Sequence, residues 1–458
     1  MKPIGKELKT LYSALRKEIQ TIHIVDAHNH LPSEQTWTAG QDDWTSLLGY
    51  CLIDLANAGL SRDQLVRPVA ADTRLHIDYG YDYQEDKRSP NEKWEVVKSY
   101  WPYVRHMGSG VLVKKVLELF FDCTDLDEHS VARVQETLTD LKQPGVYRRL
   151  LREKFKIDAV IAVTMSVKEK PPTDVIAPVL YSDIFSFIQK RRDIYRLEQE
   201  TGRDIYSLET YLTALDELLE KSVTNGGLVG IKWHIYPYHR DMNFEIADIA
   251  DAAKCFDRIL QMPARGGIGS GAAVGIDEMR PFQDFMQHHL IQRAIDLDMP
   301  IQIHAATLGG SYGGPLYGDP KSLIPLFIRY PQARFDILHG AFPWTRELGA
   351  ISHLFPNVYI NMSWLDILSP QTYREFLKDW LTGIPINKIF AFGADQHNVL
   401  LTCACAERVR DMVTEVLTTL IADGEMTEEQ ALFVADCILR KNAWEYWKLQ
   451  ERWFEKWR

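Results

Sequence analysis

Short runs of apolar and β-branched residues that close on polar or ionisable side chains recur eight times along the chain. They are IHIVDAHNH (22–30), IDAVIAVT (157–164), VIAPVLYSD (175–183), LVGIKWHIYP (228–237), PIQIHAA (300–306), FDILHGA (335–341), NVYINMSW (357–364) and IFAFGADQH (389–397). Between most of them lie stretches with helical spacing, such as 278–298, 320–330 and 369–383, with Pro or Gly near several ends. This alternation predicts parallel βα units, and eight of them fit a closed (β/α)8 TIM barrel of the α/β class. Such a barrel takes about 250 residues. The excess in a chain of 458 residues is predicted to be a large, mainly helical insertion at 31–156, between the first two strands, and a helical C-terminal extension at 400–458. The whole, 1–458, is expected to be one barrel domain.

Side chains two apart on a strand point the same way. Asp26, His28 and His30 are therefore predicted to share one face of the first strand with Ile24, while Val25 and Ala27 pack outward under helices. His304, His339 and Asp395 fall near the ends of the fifth, sixth and eighth strands. Barrel chemistry sits at the C-terminal strand ends, so these groups are predicted to converge. Neutral imidazoles plus a carboxylate on rigid strand ends suit Zn²⁺ or a similar ion, with a position left for a water whose pKa falls to about 7.

The set formed by an HxH closing the first strand, a His after the fifth, a His after the sixth and an Asp after the eighth resembles the amidohydrolase superfamily of metal-dependent β/α barrels. LHGAFPWTRE (338–347) and GIKWHIYPYHRDMNF (230–244) are similar to its amidohydrolase-related branch, which includes decarboxylases; VDAHNHLP and KNAWEYW (441–447) are similar to uronate isomerases. The resemblance implies His28, His30, His304 and Asp395 as ligands of one divalent ion, zinc first, with manganese, iron or nickel as alternatives. It implies His339 as an electrophile or orienting group beside the water, and Asp395 as general base and later proton donor. Lys232 would bind a substrate carboxylate or, in binuclear relatives, bridge two metals. The expected activity is metal-dependent hydrolysis at a carbonyl of a small polar or acidic substrate. Decarboxylation or uronate-type isomerisation in the same cage is the alternative, with Lys232, Arg240 and Arg346 holding the carboxylate.

Composition narrows the partners. A formal charge of −11 leaves no basic excess for a phosphate backbone, so nucleic acid is not expected. No run reaches the ~18 apolar residues of a membrane span, and the first twenty residues are a polar amphipathic helix rather than a signal peptide. With six scattered cysteines and no CxxC pair, this predicts a cytoplasmic protein, with a homo-oligomer as the default state. Asp26 is expected to orient an imidazole rather than ligate. His234 and His239 are open between pocket and loop surface, and His288 and His289 are expected on an ordinary helix. Cys403 and Cys405 diverge on a helix and are not expected to bind metal. The glycine-rich 264–275 lacks phosphate-loop spacing, and 307–319 is either a substrate-facing loop or a plain connection. The tail with Trp444, Trp447, Trp453 and Trp457 is expected to pack on the barrel or a second subunit.

Overall fold

The computed structural model describes residues 5–40, 42–60, 88–165, 175–262, 273–309 and 316–454. The loop 264–275 falls almost wholly outside these residues, as do Trp457 and the middle of 307–319.

Eight parallel strands follow one another in chain order: β1 (Ile24–Asn29), β2 (Ile157–Thr164), β3 (Ile176–Tyr181), β4 (Gly230–Trp233), β5 (Ile301–Ile303), β6 (Phe335–Ile337), β7 (Val358–Asn361) and β8 (Ile389–Phe390). The ladders run unbroken from β1 to β8. The ring is closed by backbone bonds from Ala27 N to Phe392 O (3.0 Å), Asp395 N to His28 O (3.0 Å) and His30 N to Gln396 O (3.2 Å). Each predicted run supplies a strand, so the TIM-barrel expectation holds. Helices such as Leu208–Asn225, started by a Ser207–Thr210 capping box, and Arg280–Asp296 cover the outside. Between β1 and β2 the described residues are mainly helical, with Pro90–Val97, Gly108–Phe121 and Glu128–Leu141 as their principal pieces. No described helix is long and apolar enough to cross a membrane.

Two apolar clusters divide the interior. The larger joins one face of the strands, including Ile231, Ile301, Ile303, Phe335, Ile337 and Ile360, to the surrounding helices. The smaller joins Val25, Ala27, Ala159, Ile161, Ala177, Val179 and Phe390 to Tyr446, Trp447 and Trp453 of the C-terminal segment. A Cβ on Gly230 would stand 2.4 Å from Trp447 Cζ3, and Gly230 shares its strand face with Lys232, which reaches across to His28. The smaller cluster therefore fills the lumen, and the tail plugs the barrel from below the strands. This corrects the parity expected for β1, where Val25 and Ala27 face inward. A register irregularity between Asp26 and Asn29 lets His28 also enter the lumen, while Asp26 turns to the segment after β8.

Candidate metal centre

Asp395 is gripped from both sides. Its own N–H bonds His28 O, Asp26 Oδ1 accepts from Ala394 N–H (3.0 Å), and Asn29 Oδ1 accepts from Gln396 N–H (3.1 Å). Asn29 Nδ2 in turn donates to Asp26 Oδ2 (2.6 Å). This scaffold holds Asp395 at φ 52°, a left-handed backbone uncommon outside glycine. His339 and Trp364, at the ends of β6 and β7, are left-handed too, both at φ 62°. Asp26 thus fastens backbone and binds no imidazole, unlike the orienting role expected of it.

The result is a tight trio. His28 Nε2 and His30 Nε2 each lie 3.2 Å from Asp395 Oδ1, and the three residues' ligand atoms all fall within 4.8 Å of one another. Asp395 Oδ1 is buried yet receives no hydrogen bond, so neither imidazole meets it with donor geometry. Zinc bound tetrahedrally at about 2.0–2.2 Å separates its ligands by about 3.4 Å, which the spacing fits. Burial and the neighbouring Lys232 drive His28 down to about 3, keeping the ring neutral.

A second imidazole pair adjoins the trio. His304 Nε2 lies 3.0 Å from Thr307 O, and His339 Nδ1 lies 3.0 Å from Ser363 O. A carbonyl only accepts, so His304 carries its hydrogen on Nε2 and leaves Nδ1 bare toward His339 Nε2 at 3.1 Å, while His339 Nδ1 meets the Ser363 hydroxyl as well, at 3.2 Å. Burial holds His304 down to about 3 and His339 well below its ordinary value, so both are neutral. The bare His304 Nδ1 can serve as a ligand atom. Of the residues expected to converge, His28, His30 and Asp395 meet; His304 lies one imidazole further along, next to His339, whose Nδ1 is 4.0 Å from Asp395 Oδ2.

Lys232 is buried with Nζ 3.4 Å from His28 Nε2; burial pulls it to about 7 against the pull of Asp395, Asp336 and Asp183. The two arginines expected at the mouth are elsewhere. Arg240 is buried, with Nη2 on Asp284 Oδ1 (2.7 Å) and Nη1 on Gln283 Oε1 (3.0 Å), so its fork is spent on the fold. Arg346 is exposed, 3.9 Å from Glu375 and over the Phe376 ring. Neither reaches the trio, which corrects their expected role as carboxylate holders.

Several wall residues escaped the sequence reading. Tyr50, from the helical insertion, donates to Asp395 Oδ2 at 3.1 Å, and its ring lies tilted against Trp364 with centroids 4.7 Å apart. His397 is exposed at the rim with its ring 5.1 Å from His30. His234 adjoins His304: its Nδ1 meets Tyr181 OH at 2.6 Å and its ring lies 4.7 Å from that of His304. His239 instead stacks on Phe187. His288 and His289 bond Tyr330 OH and Asp216 on a covering helix. Cys403 and Cys405 are buried free thiols.

A family model described as Amidohydrolase matches residues 217–420. Protein fluG of Emericella nidulans is 24% identical over 251 residues, 53% of this chain but 28% of that protein, so the chain spans under a third of its length. Among solved structures, a glucuronate isomerase from Caulobacter crescentus superposes with a TM-score of 0.74 at 18% identity, covering 98% of this chain and 96% of its own. A uronate isomerase from Thermotoga maritima gives 0.73 at 15%, covering 96% and 97%. At such identities the structural likeness speaks for the fold. The amidohydrolase resemblance read from the motifs is borne out.

Proposed function

We propose, taking that amidohydrolase likeness as premise, that the chain is a metal-dependent hydrolase in which His28, His30, His304 and Asp395 hold one divalent ion, zinc first. The observation that carries this reading is the pair of imidazole nitrogens 3.2 Å from one buried carboxylate oxygen that no hydrogen bond satisfies. When bound, the ion would supply Lewis acidity and an activated water to a C–N or C–O bond at a carbonyl. The rest falls to the chain. Asp395 Oδ2, steadied by Tyr50 OH, takes a proton and returns it to the leaving group. His339, neutral and held by Ser363 O, orients the substrate carbonyl beside His304. Lys232 is the remaining predicted cation at the cluster and favours a small polar or acidic substrate.

A second reading, a uronate-isomerase-like enzyme or a decarboxylase acting on a carboxylate in the same site, draws support from the whole-chain fold likeness to two sugar-acid isomerases. Against it stand Arg240 and Arg346, both engaged away from the trio. Elemental analysis of protein purified without chelator, joined to a screen of amides, esters, lactones, uronic acids and aromatic acids, separates the two. The expected result is a bound divalent ion and release of an amine or alcohol. Asp395→Asn should cut turnover at least about 100-fold with the far-UV spectrum unchanged. Undiminished turnover in that variant, or wild-type protein without a bound ion, overturns the proposal.

A further inference from the structure

We infer that Gln302, backed by Asp336, is a positioning residue that fixes the tautomer of His28 and thereby aims a bare Nε2 at the cation. The inference rests on the metal reading above, but its geometry is independent of any ion. Gln302 on β5 faces β1 across the lumen. Its Nε2 lies 2.8 Å from Ala27 O and 2.9 Å from Asp336 Oδ2. Both can serve as acceptors, so reversing the amide would set its carbonyl against two oxygens. Asn361 on β7 reinforces the arrangement: its Nδ2 lies 3.1 Å from the same Asp336 Oδ2 and 3.4 Å from Ala27 O, and its Oδ1 accepts from Ser363 N–H at 3.0 Å. Gln302, Asp336 and Asn361 are all fully buried, so water has no ready access to relieve a reversed amide.

With the amide locked, Gln302 Oε1 faces His28 Nδ1 at 3.1 Å. A carbonyl oxygen cannot donate, so Nδ1 carries the hydrogen and Nε2 is left bare. That bare nitrogen points at Lys232 Nζ (3.4 Å) and lies 3.2 Å from Asp395 Oδ1. The opposite tautomer would leave two buried lone pairs facing each other at Nδ1 and would put the hydrogen on Nε2, closing it to a metal. Asp336 touches neither the trio nor a substrate; it acts through Gln302.

Two readouts on the full-length chain test this. In metal-free protein labelled with ¹⁵N-histidine, His28 should show the Nδ1–H tautomer, and Gln302→Met should convert it to Nε2–H. By chelator competition, Gln302→Met should weaken zinc binding about 10–100-fold. An unchanged tautomer or unchanged affinity in folded Gln302→Met overturns the inference. Should Gln302→Met fail to fold, an Nε2–H tautomer at His28 in the wild-type, metal-free protein does the same. Wild-type protein that binds no divalent ion sinks the metal reading instead, and the tautomer result then judges the relay alone.

Discussion

Tyr50 OH sits 3.1 Å from Asp395 Oδ2, so a side chain from the helical insertion steadies a carboxylate at the end of the barrel. A hydrogen bond to a charged group contributes about 1.5–3 kcal/mol. Tyr50→Phe should therefore slow turnover about 10–100-fold while leaving the metal content intact, read by steady-state kinetics beside elemental analysis; wild-type kcat would deny Tyr50 this role. Nothing in LGYCLIDL marks that tyrosine, because its partner lies 345 positions away and an insertion has no strand parity to read. His28, His30 and Asp395 are legible because each falls where a predicted strand ends, the place where barrel chemistry gathers. Arg240 was misjudged for a related reason: a charge in a loop does not disclose that Asp284, 44 residues on, will claim it. Asp183 offers a pH test away from the trio. Its Oδ2 accepts the N–H groups of His234 and Ile235, its Oδ1 is buried without a partner, and burial lifts it to about 7 against those bonds and Lys232. With an unfolded value near 3.8, its contribution is fully present below that pH and is lost as pH rises through about 7. Asp183→Asn removes this loss, so the variant's stability relative to wild type should improve from pH 5 to pH 8. Equal differences in urea midpoint at both pH values would contradict it.

At the scale of elements, the eight strands were legible from alternation, whereas the facing of β1 was not. Strict period-two reading placed Val25 and Ala27 under helices, but the register irregularity after Asp26 and the arrival of the C-terminal segment put them in the lumen. A plug is invisible to local periodicity because its partners, such as Gly230 and Ile176, are remote in sequence. Trp447 is fully buried against Gly230, and Trp453 Nε1 donates to Ile176 O at 2.9 Å. Removing so large a buried ring leaves a cavity that the close-packed lumen cannot collapse into. Trp447→Ala should cost about 3–5 kcal/mol in urea unfolding. A loss below about 1 kcal/mol, the size of a surface change, would mean the tail is not part of the core.

For the whole molecule, the trio lies on the seam of the barrel. The ladders run from β1 to β8 without a ladder between those two, and three backbone bonds at Ala27, His30 and Asp395 close the ring. His28 and His30 belong to the β1 side and Asp395 to the β8 side, so a cation held by all three would cross-link the join. Any ligand bound only by the folded state stabilises it, by about 2.7 kcal/mol at a free concentration one hundred times its Kd. Zinc should therefore raise the melting temperature of metal-free protein, and amide hydrogens at Ala27, His30 and Asp395 should exchange more slowly when it is present. Asp395→Asn should abolish the zinc-dependent shift, whereas Trp447→Ala, destabilised from the opposite end of the lumen, should melt lower yet keep it. A melting temperature indifferent to zinc in wild type, or a shift that survives in Asp395→Asn, would separate the seam from the cation and leave closure to the three backbone bonds alone.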